Sequence, residues 1–154
     1  MLRARPLLVS IVIVPALLIT PGLTLAAGWA GGDAPVPPEA RRVDTSKPDR
    51  YIGTGTPRSC TSRAVVRAVA KGGVIRFRCG KKPVTIRMQA TAKVRNDRPP
   101  VVLDGRGRVT LDGMGVRRIL YMNTCDPRQV WTTPHCQDQD HPTLTVQGLT
   151  FRNG

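Results

Sequence analysis

The sequence predicts an all-β solenoid built from short parallel strands, on three observations. The 154-residue chain contains 15 Gly and 14 Pro and is only 4% aromatic, so it is rich in turns and its core is mainly aliphatic. Nearly every apolar run after residue 73 is three or four residues long and rich in β-branched residues. The segment VVLDG at 101–105 is echoed eight positions later by VTLDG at 109–113. Short strands that repeat and end in Asp-Gly favour stacked coils over hairpins, which normally use longer strands.

One helix precedes the predicted strands. It is expected over 62–71, with Thr61 and Ser62 as candidate caps and Gly72 and Gly73 after its last turn. Its apolar stripe repeats at helical spacing and consists of Ala64, Val65, Ala68 and Val69. The predicted strands are the apolar runs at 74–77, 84–86, 101–103, 109–111, 119–122, 144–146 and 149–151.

The N-terminal region has the features of an export signal. Arg3 and Arg5 precede an apolar run at 7–19, and small residues follow around Ala26, so residues 1–27 are predicted to be a signal peptide. An uncleaved anchor is the alternative, because the apolar stretch approaches the length of a membrane span. We expect cleavage, no stable membrane span afterwards, and a protein that is secreted or held at the cell surface. Residues 28–50, rich in Pro and Arg, are predicted to be a disordered linker before an ordered part at 51–154.

The cysteines are predicted to form disulfides. An even number of cysteines in an exported chain favours two bonds, for which three connectivities are possible. We expect sequential pairing, with the first bond tying the two sides of the helix together and the second closing a polar loop. A zinc site that includes His135 and His141 is disfavoured because no Cys-x-x-Cys spacing is present. The predicted pairs are Cys60–Cys79 and Cys125–Cys136.

The charge balance predicts binding to an acidic polymer. Lys and Arg number 24 against 10 Asp and Glu, a formal charge of +14, and stacked strands would align basic side chains into a stripe. An acidic polysaccharide or cell-wall polymer is the expected partner, whereas nucleic acid is not expected because aromatic residues for base stacking are few. The alternative is a generally Arg-rich composition, since 19 of the basic residues are Arg. The candidate glycan-binding residues are Arg76, Arg78, Arg106, Arg108 and Arg117.

Two groups of polar and acidic side chains are candidate metal sites. Asp104 and Asp112 are candidate calcium ligands if neighbouring coils bring them together, but turn formation at Asp-Gly is the favoured role. A second group lies between residues 122 and 144, where a solvated loop is favoured. We predict no metal site, no cofactor and no catalytic residues, because no phosphate-binding loop, GxSxG or HExxH motif is present. The second group comprises Asp126, His135, Asp138, Asp140 and His141.

Four motifs resemble the start of secreted bacterial right-handed parallel β-helix proteins of the pectate-lyase-like class. They are GTGTP at 53–57 followed by Ser59-Cys60, GGVIRFRCG at 72–80, VVLDGRG at 101–107 and LTFRNG at 149–154. The resemblance implies a right-handed parallel β-helix over 51–154, with the 62–71 helix covering its open end. It is specific for architecture and weak for activity, because the same architecture occurs in lyases, hydrolases, epimerases and adhesins.

The resemblance leaves two functional expectations. The first is a noncatalytic secreted or surface module that binds acidic glycans. The alternative is the N-terminal fragment of a polysaccharide lyase or glycoside hydrolase whose active site lies beyond Gly154. Lyases of this class use acidic residues that hold calcium and a basic residue that removes a proton, typically on central coils. The sequence therefore implies a truncated solenoid, which we expect to self-associate through an uncapped C-terminal end.

Overall fold

A five-stranded parallel sheet organises the part of the chain that the computed structural model describes, residues 35–154. The signal peptide predicted for 1–27 and the start of the predicted linker lie outside these residues. One α-helix, α1 (Ser62–Lys71), packs against the sheet, and a separate two-stranded parallel sheet lies beside it. The strands are β1 (Arg50–Ile52), β2 (Gly73–Phe77), β3 (Val84–Arg87), β4 (Ala92–Lys93), β5 (Val101–Asp112), β6 (Leu120–Tyr121) and β7 (Leu144–Arg152).

The long strand β5 is the centre of the larger sheet. The first part of β5 pairs with β2, and its last part pairs with β3. Strand β7 pairs with β5 over both parts, and β1 pairs with β2. The smaller sheet consists of β4 and β6. Since every pair is parallel, side chains at the same level of each continuously paired stretch form rows across the strands.

A bulge divides β5 into its two parts. The register between β5 and β7 shifts between Asp104 and Val109. Within the bulge, Arg106 has a positive φ of 53°, and its N–H donates to Asp104 Oδ1 at 2.9 Å. Gly105 permits a close approach of β7, because a Cβ atom at this position would lie 2.5 Å from the carbonyl oxygen of Gly148. The bulge therefore turns the 105–108 segment away from the regular pairing.

The predicted all-β, right-handed parallel β-helix is wrong. The described residues have a mixed α/β structure with two parallel sheets, one α-helix and no closed solenoid. The similar segments 101–105 and 109–113 are not successive coils, because both lie along β5 and its end. The first Asp-Gly pair begins the bulge instead of forming a corner between coils. The repeat therefore reflects one strand that resumes its pairing after an interruption.

The helix prediction is confirmed in its bounds. Helix α1 runs from Ser62 to Lys71, and the Thr61 side chain accepts a hydrogen bond from the N–H of Ala64 at 3.2 Å. Val65 and Val69 are completely buried beneath it, as the apolar stripe predicts. The chain leaves the helix at Gly72, whose positive φ of 70° suits a residue without a side chain.

Both predicted disulfides are confirmed. The Cα atoms are 5.7 Å apart in Cys60–Cys79 and 5.0 Å apart in Cys125–Cys136. The first bond joins the start of α1 to the end of β2, and the second closes the loop between β6 and β7. All four cysteine sulfurs are thus engaged in disulfide bonds.

Residues 43–49, which the sequence analysis assigned to the linker, lie against the sheet. Val43 exchanges two hydrogen bonds with the side-chain amide of Gln147, each of 3.0 Å. Asp49 pairs with Val74 in two ways: its N–H donates to the Val74 carbonyl at 2.8 Å, and its carboxylate accepts the Val74 N–H at 2.6 Å. Contacts with the sheet therefore begin before residue 51, the predicted start of the ordered part.

Apolar side chains are less deeply buried in β7 than in β2, β3 and β5. Ile75 of β2 and Leu103 of β5 are neighbours in one row and are completely buried, whereas Val146 in the same row of β7 is 39% exposed. Phe151, in the row of Ile86 and Leu111, is 41% exposed. The apolar packing is thus densest where β5 is flanked by β2 and β3.

Matched Val-to-Ala substitutions test this distribution. We expect Val101→Ala in β5 to lower the free energy of unfolding by about 2 kcal/mol, because it deletes two buried carbons and leaves a cavity. Val146→Ala in β7 removes the same atoms from a partly exposed site, so its effect is expected to be less than half as large. Denaturant unfolding of both variants measures the difference. Equal losses would contradict the assigned core.

Candidate functional site

A row of polar side chains crosses the larger sheet at one level. The parallel register places Tyr51 beside Arg76, Arg76 beside Asp104, and Asp104 beside Gln147. Paired residues of parallel strands project to the same side of a sheet, so this row alternates with the buried row of Ile75. The row therefore presents an aromatic ring and a guanidinium group next to a carboxylate.

Thr45 covers the acidic part of the row. Its hydroxyl donates to Asp104 Oδ2 at 2.5 Å, and its carbonyl accepts from Arg76 Nη1 at 3.1 Å. Arg42 Nη2 approaches Asp104 Oδ1 at 4.0 Å from the solvent side. These contacts fix one end of the Arg76 guanidinium, while its buried Nε has no hydrogen-bond partner within residues 35–154.

Asp104 stays ionised although it is buried. Burial disfavours the charged carboxylate, but hydrogen bonds from Thr45, the N–H of Arg106 and Gln147, together with the charge of Arg42, outweigh it. The pKa of Asp104 is consequently lower than its ordinary value. With both carboxylate oxygens engaged by the protein, Asp104 acts as a structural anchor beneath the basic side chains.

Arg78 lies over the ring of Tyr51. Its guanidinium carbon is 4.5 Å from the ring centroid, a distance typical of a cation–π contact. Both side chains are exposed, and the backbone of Arg78 is fixed because its N–H donates to Ile52 and its carbonyl accepts from Gly55. This contact holds the Arg78 charge beside Tyr51, at one end of the polar row.

The β5 bulge adds two more arginines. Arg106 and Arg108 are exposed at the point where β5 leaves its regular pairing. Arg108 Nη1 donates to the carbonyl of Lys81 at 3.3 Å, which draws its side chain toward the chain segment after β2. The bulge therefore exposes two arginines that line one cavity together with Arg76 and Arg78.

Four of the five predicted arginines line one cavity of about 310 Å³. The fifth, Arg117, does not line it and belongs to the segment between β5 and β6. Sequence reasoning missed the aromatic side chains of the cavity, since Tyr51 stood at the predicted boundary of the ordered part. The cavity is lined by Arg76, Arg78, Arg106, Arg108, Tyr51 and Phe77, with Gly55 and Gly80.

A second basic cavity also has Tyr51 in its lining. It measures about 280 Å³ and is lined by Tyr51 and residues of β1 and α1. The Arg50 side chain contributes a buried Nη1 that has no hydrogen-bond partner within residues 35–154. Arg67 and Lys71 also line it, and their positions off the apolar stripe of the helix gave no signal of a site. We call the two cavities together the Tyr51 surface; its basic residues are Arg50, Arg67, Lys71, Arg76, Arg78, Arg106 and Arg108.

The acidic residues weighed as metal ligands have other partners. Asp112 accepts hydrogen bonds from the N–H of Met114 and from Arg152 and Asn153, and it forms a salt bridge with Arg152 at 2.9 Å. Asp104 and Asp112 both accept the N–H of the residue two positions later, which is turn chemistry. Within residues 35–154, no group of three His, Cys, Asp or Glu side chains is arranged to hold a metal ion.

Comparisons with protein-family models, with curated proteins and with solved structures give no match to this chain. The resemblance to pectate-lyase-like proteins therefore stays a prediction from the four motifs.

None of the helices within residues 35–154 has the length and apolar character needed to cross a membrane.

The depressed pKa of Asp104 predicts a pH-dependent contribution to stability. Because its folded pKa is below the unfolded value of 3.8, its contribution is present above pH 3.8 and is lost as the pH falls through the folded pKa. We expect Asp104→Asn to destabilise the protein at pH 7, and the difference from the wild type to shrink below about pH 4. Urea unfolding between pH 2.5 and 7 measures it. The control is Asp138→Asn, at an exposed residue outside both sheets. A difference that does not change with pH would contradict the anchor role.

Proposed function

We propose that this chain is a noncatalytic extracellular module that binds acidic polysaccharides through the Tyr51 surface. The observation that supports the proposal most directly is the convergence of Arg76, Arg78, Arg106 and Arg108 on one cavity. Planar guanidinium groups match carboxylates through two parallel hydrogen bonds, which suits the uronic acids of acidic polysaccharides. The two disulfides favour an oxidising location outside the cytosol.

The charge arrangement favours binding over acid–base chemistry. The carboxylate nearest to these arginines, Asp104, is 4% exposed and held by hydrogen bonds from Thr45 and Arg106. Arg50 and Arg76 line the two cavities and form no salt bridge within residues 35–154, so an anionic ligand would supply the opposite charge that these residues lack.

A polysaccharide fits the Tyr51 surface better than a single-stranded nucleic acid does. Nucleic-acid grooves typically offer several free aromatic faces on which successive bases stack. Tyr51 already carries the guanidinium of Arg78 on its ring. The two cavities share Tyr51 and are both lined by basic residues, which suits a polymer with anionic groups at more than one position.

Two charge-matched double variants test the proposal. Arg78→Ala/Arg108→Ala removes two exposed charges from the Tyr51 surface, whereas Arg63→Ala/Arg87→Ala removes two exposed charges that line neither cavity. We expect the first variant to bind polygalacturonate about 10-fold more weakly and the second to change affinity by about 2-fold or less. Isothermal titration measures both, with fully methyl-esterified polygalacturonate as the uncharged ligand.

These measurements distinguish binding at a local site from attraction to the overall positive charge of the protein. Binding to polygalacturonate is also expected to weaken steeply as salt is added, because charged contacts are screened and counterions are released. Equal losses in the two double variants would assign the binding to Arg-rich composition alone. Absence of binding at low salt, or tighter binding to a DNA oligonucleotide than to polygalacturonate, would overturn the proposed ligand.

A further inference from the structure

A third basic cavity lies at the smaller sheet and shares no residue with the Tyr51 surface. Its volume is about 410 Å³, within the range of small-molecule sites. The parallel pairing of β4 with β6 places Lys93 beside Tyr121. We call it the Tyr121 cavity; its lining residues are Thr91, Lys93, Arg118, Tyr121, Asp126 and Arg128.

Two of the positively charged side chains of the cavity lie close to the ring of Tyr121. Lys93 Nζ is 5.9 Å from the ring centroid, and the guanidinium carbon of Arg118 is 5.3 Å from it. Within residues 35–154, none of Lys93, Arg118 and Arg128 forms a salt bridge. Three positive groups thus line one cavity, and none of them forms a salt bridge with an acidic side chain of residues 35–154.

The Asp126 carboxylate accepts hydrogen bonds from three groups at the cavity. Its Oδ2 accepts from the Tyr121 hydroxyl and from Gln129 Nε2, each at 3.1 Å, and its Oδ1 accepts from the N–H of Arg128 at 3.0 Å. These hydrogen bonds keep the pKa of Asp126 below its ordinary value, and the bond from the N–H of Arg128 has the largest effect. The carboxylate therefore fixes the ring and the following turn, and the lining side chains carry a net charge of +2.

Backbone contacts hold the two arginines in place. The Thr91 hydroxyl donates to the carbonyl of Arg118 at 2.7 Å, and Arg95 Nη1 donates to the carbonyl of Arg128 at 2.9 Å. The Cys125–Cys136 disulfide closes the loop that carries Arg128. The backbone positions of both arginines are thus set before a ligand arrives, which lowers the entropy lost on binding.

We propose that the Tyr121 cavity binds a phosphate monoester in its dianionic form. A charge of −2 complements the net charge of the lining, and three terminal oxygens suit three separate cationic side chains. A single carboxylate would be satisfied by one arginine fork and would leave two cations without a partner. The cavity is also larger than a bare phosphate group, so the organic part of the ester has space beside Tyr121.

The ionisation of phosphate provides the sharpest test. The second proton of a phosphate monoester has a pKa of about 6, so the dianion is scarce at pH 5 and dominant at pH 7.5. We expect phenyl phosphate to bind the purified protein about 10-fold more tightly at pH 7.5 than at pH 5. Sulfate is a dianion at both pH values and is expected to bind equally at both. Acetate that binds as tightly as phenyl phosphate at pH 7.5, or a phenyl phosphate affinity that does not change with pH, would overturn the proposal.

Substitutions test whether phenyl phosphate binds at the Tyr121 cavity and whether this binding is independent of polysaccharide binding at the Tyr51 surface. Arg118→Ala and Lys93→Ala change exposed residues and are each expected to weaken phenyl phosphate binding about 5- to 10-fold. Arg78→Ala/Arg108→Ala is expected to leave it unchanged, even though the same variant weakens polygalacturonate. If that double variant removes phosphate binding and Arg118→Ala does not, the Tyr121 site is wrong and the proposed function stands. Inorganic phosphate that binds as tightly as phenyl phosphate would overturn the assigned role of the organic group.

Discussion

The pairing of β5 along both of its edges is the constraint on which the rest of the structure depends. One edge of this strand receives β2 and then β3, while β7 follows the other edge along both parts. The first part sets Asp104 beside Arg76, and the interruption that follows exposes Arg106 and Arg108. The basic cavity is therefore a product of sheet register and of one bulge, and not of residues that are close together in the sequence.

Local features of the fold could be predicted from the sequence because their causes are local. The bounds of α1 follow from a capping Thr61, a helical apolar stripe and Gly72 after the last turn. The two disulfides could be predicted because the chain was expected to be exported and has an even number of cysteines, for which sequential pairing was preferred. The architecture could not be predicted in the same way, because an Asp-Gly pair forms a corner or a bulge depending on the strands that pair beside it. At Gly105, the residue whose close approach accompanies the bulge is Gly148, 43 positions away in the sequence.

The candidate site could be predicted in part for the same reason. The arginines of β2 and of the β5 bulge were predicted to form a stripe because neighbouring strands would align them. They do line one cavity, but the register pairs Arg76 with Asp104, and the bulge leaves Arg106 and Arg108 outside the regular pairing. Arg117 was grouped with them by sequence proximity to a strand, yet it lies outside the cavity. Tyr51 and Arg67 carried no signal, because their role depends on the packing of α1 beside β1. The Tyr121 cavity also depends on a nonlocal pair, β4 with β6, and on the loop that brings Asp126 to the ring.

The most direct test of acidic-polysaccharide binding at the Tyr51 surface is a map of the ligand on the arginine side chains. Nuclear magnetic resonance of the arginine Nε–H groups, assigned by single Arg-to-Lys substitutions, would follow a titration with tetragalacturonate at low salt. The account predicts saturating shifts for Arg76, Arg78, Arg106 and Arg108, which line one cavity, and small shifts for Arg63 and Arg87, which do not line it. Small, non-saturating shifts of similar size at all of these arginines would contradict it.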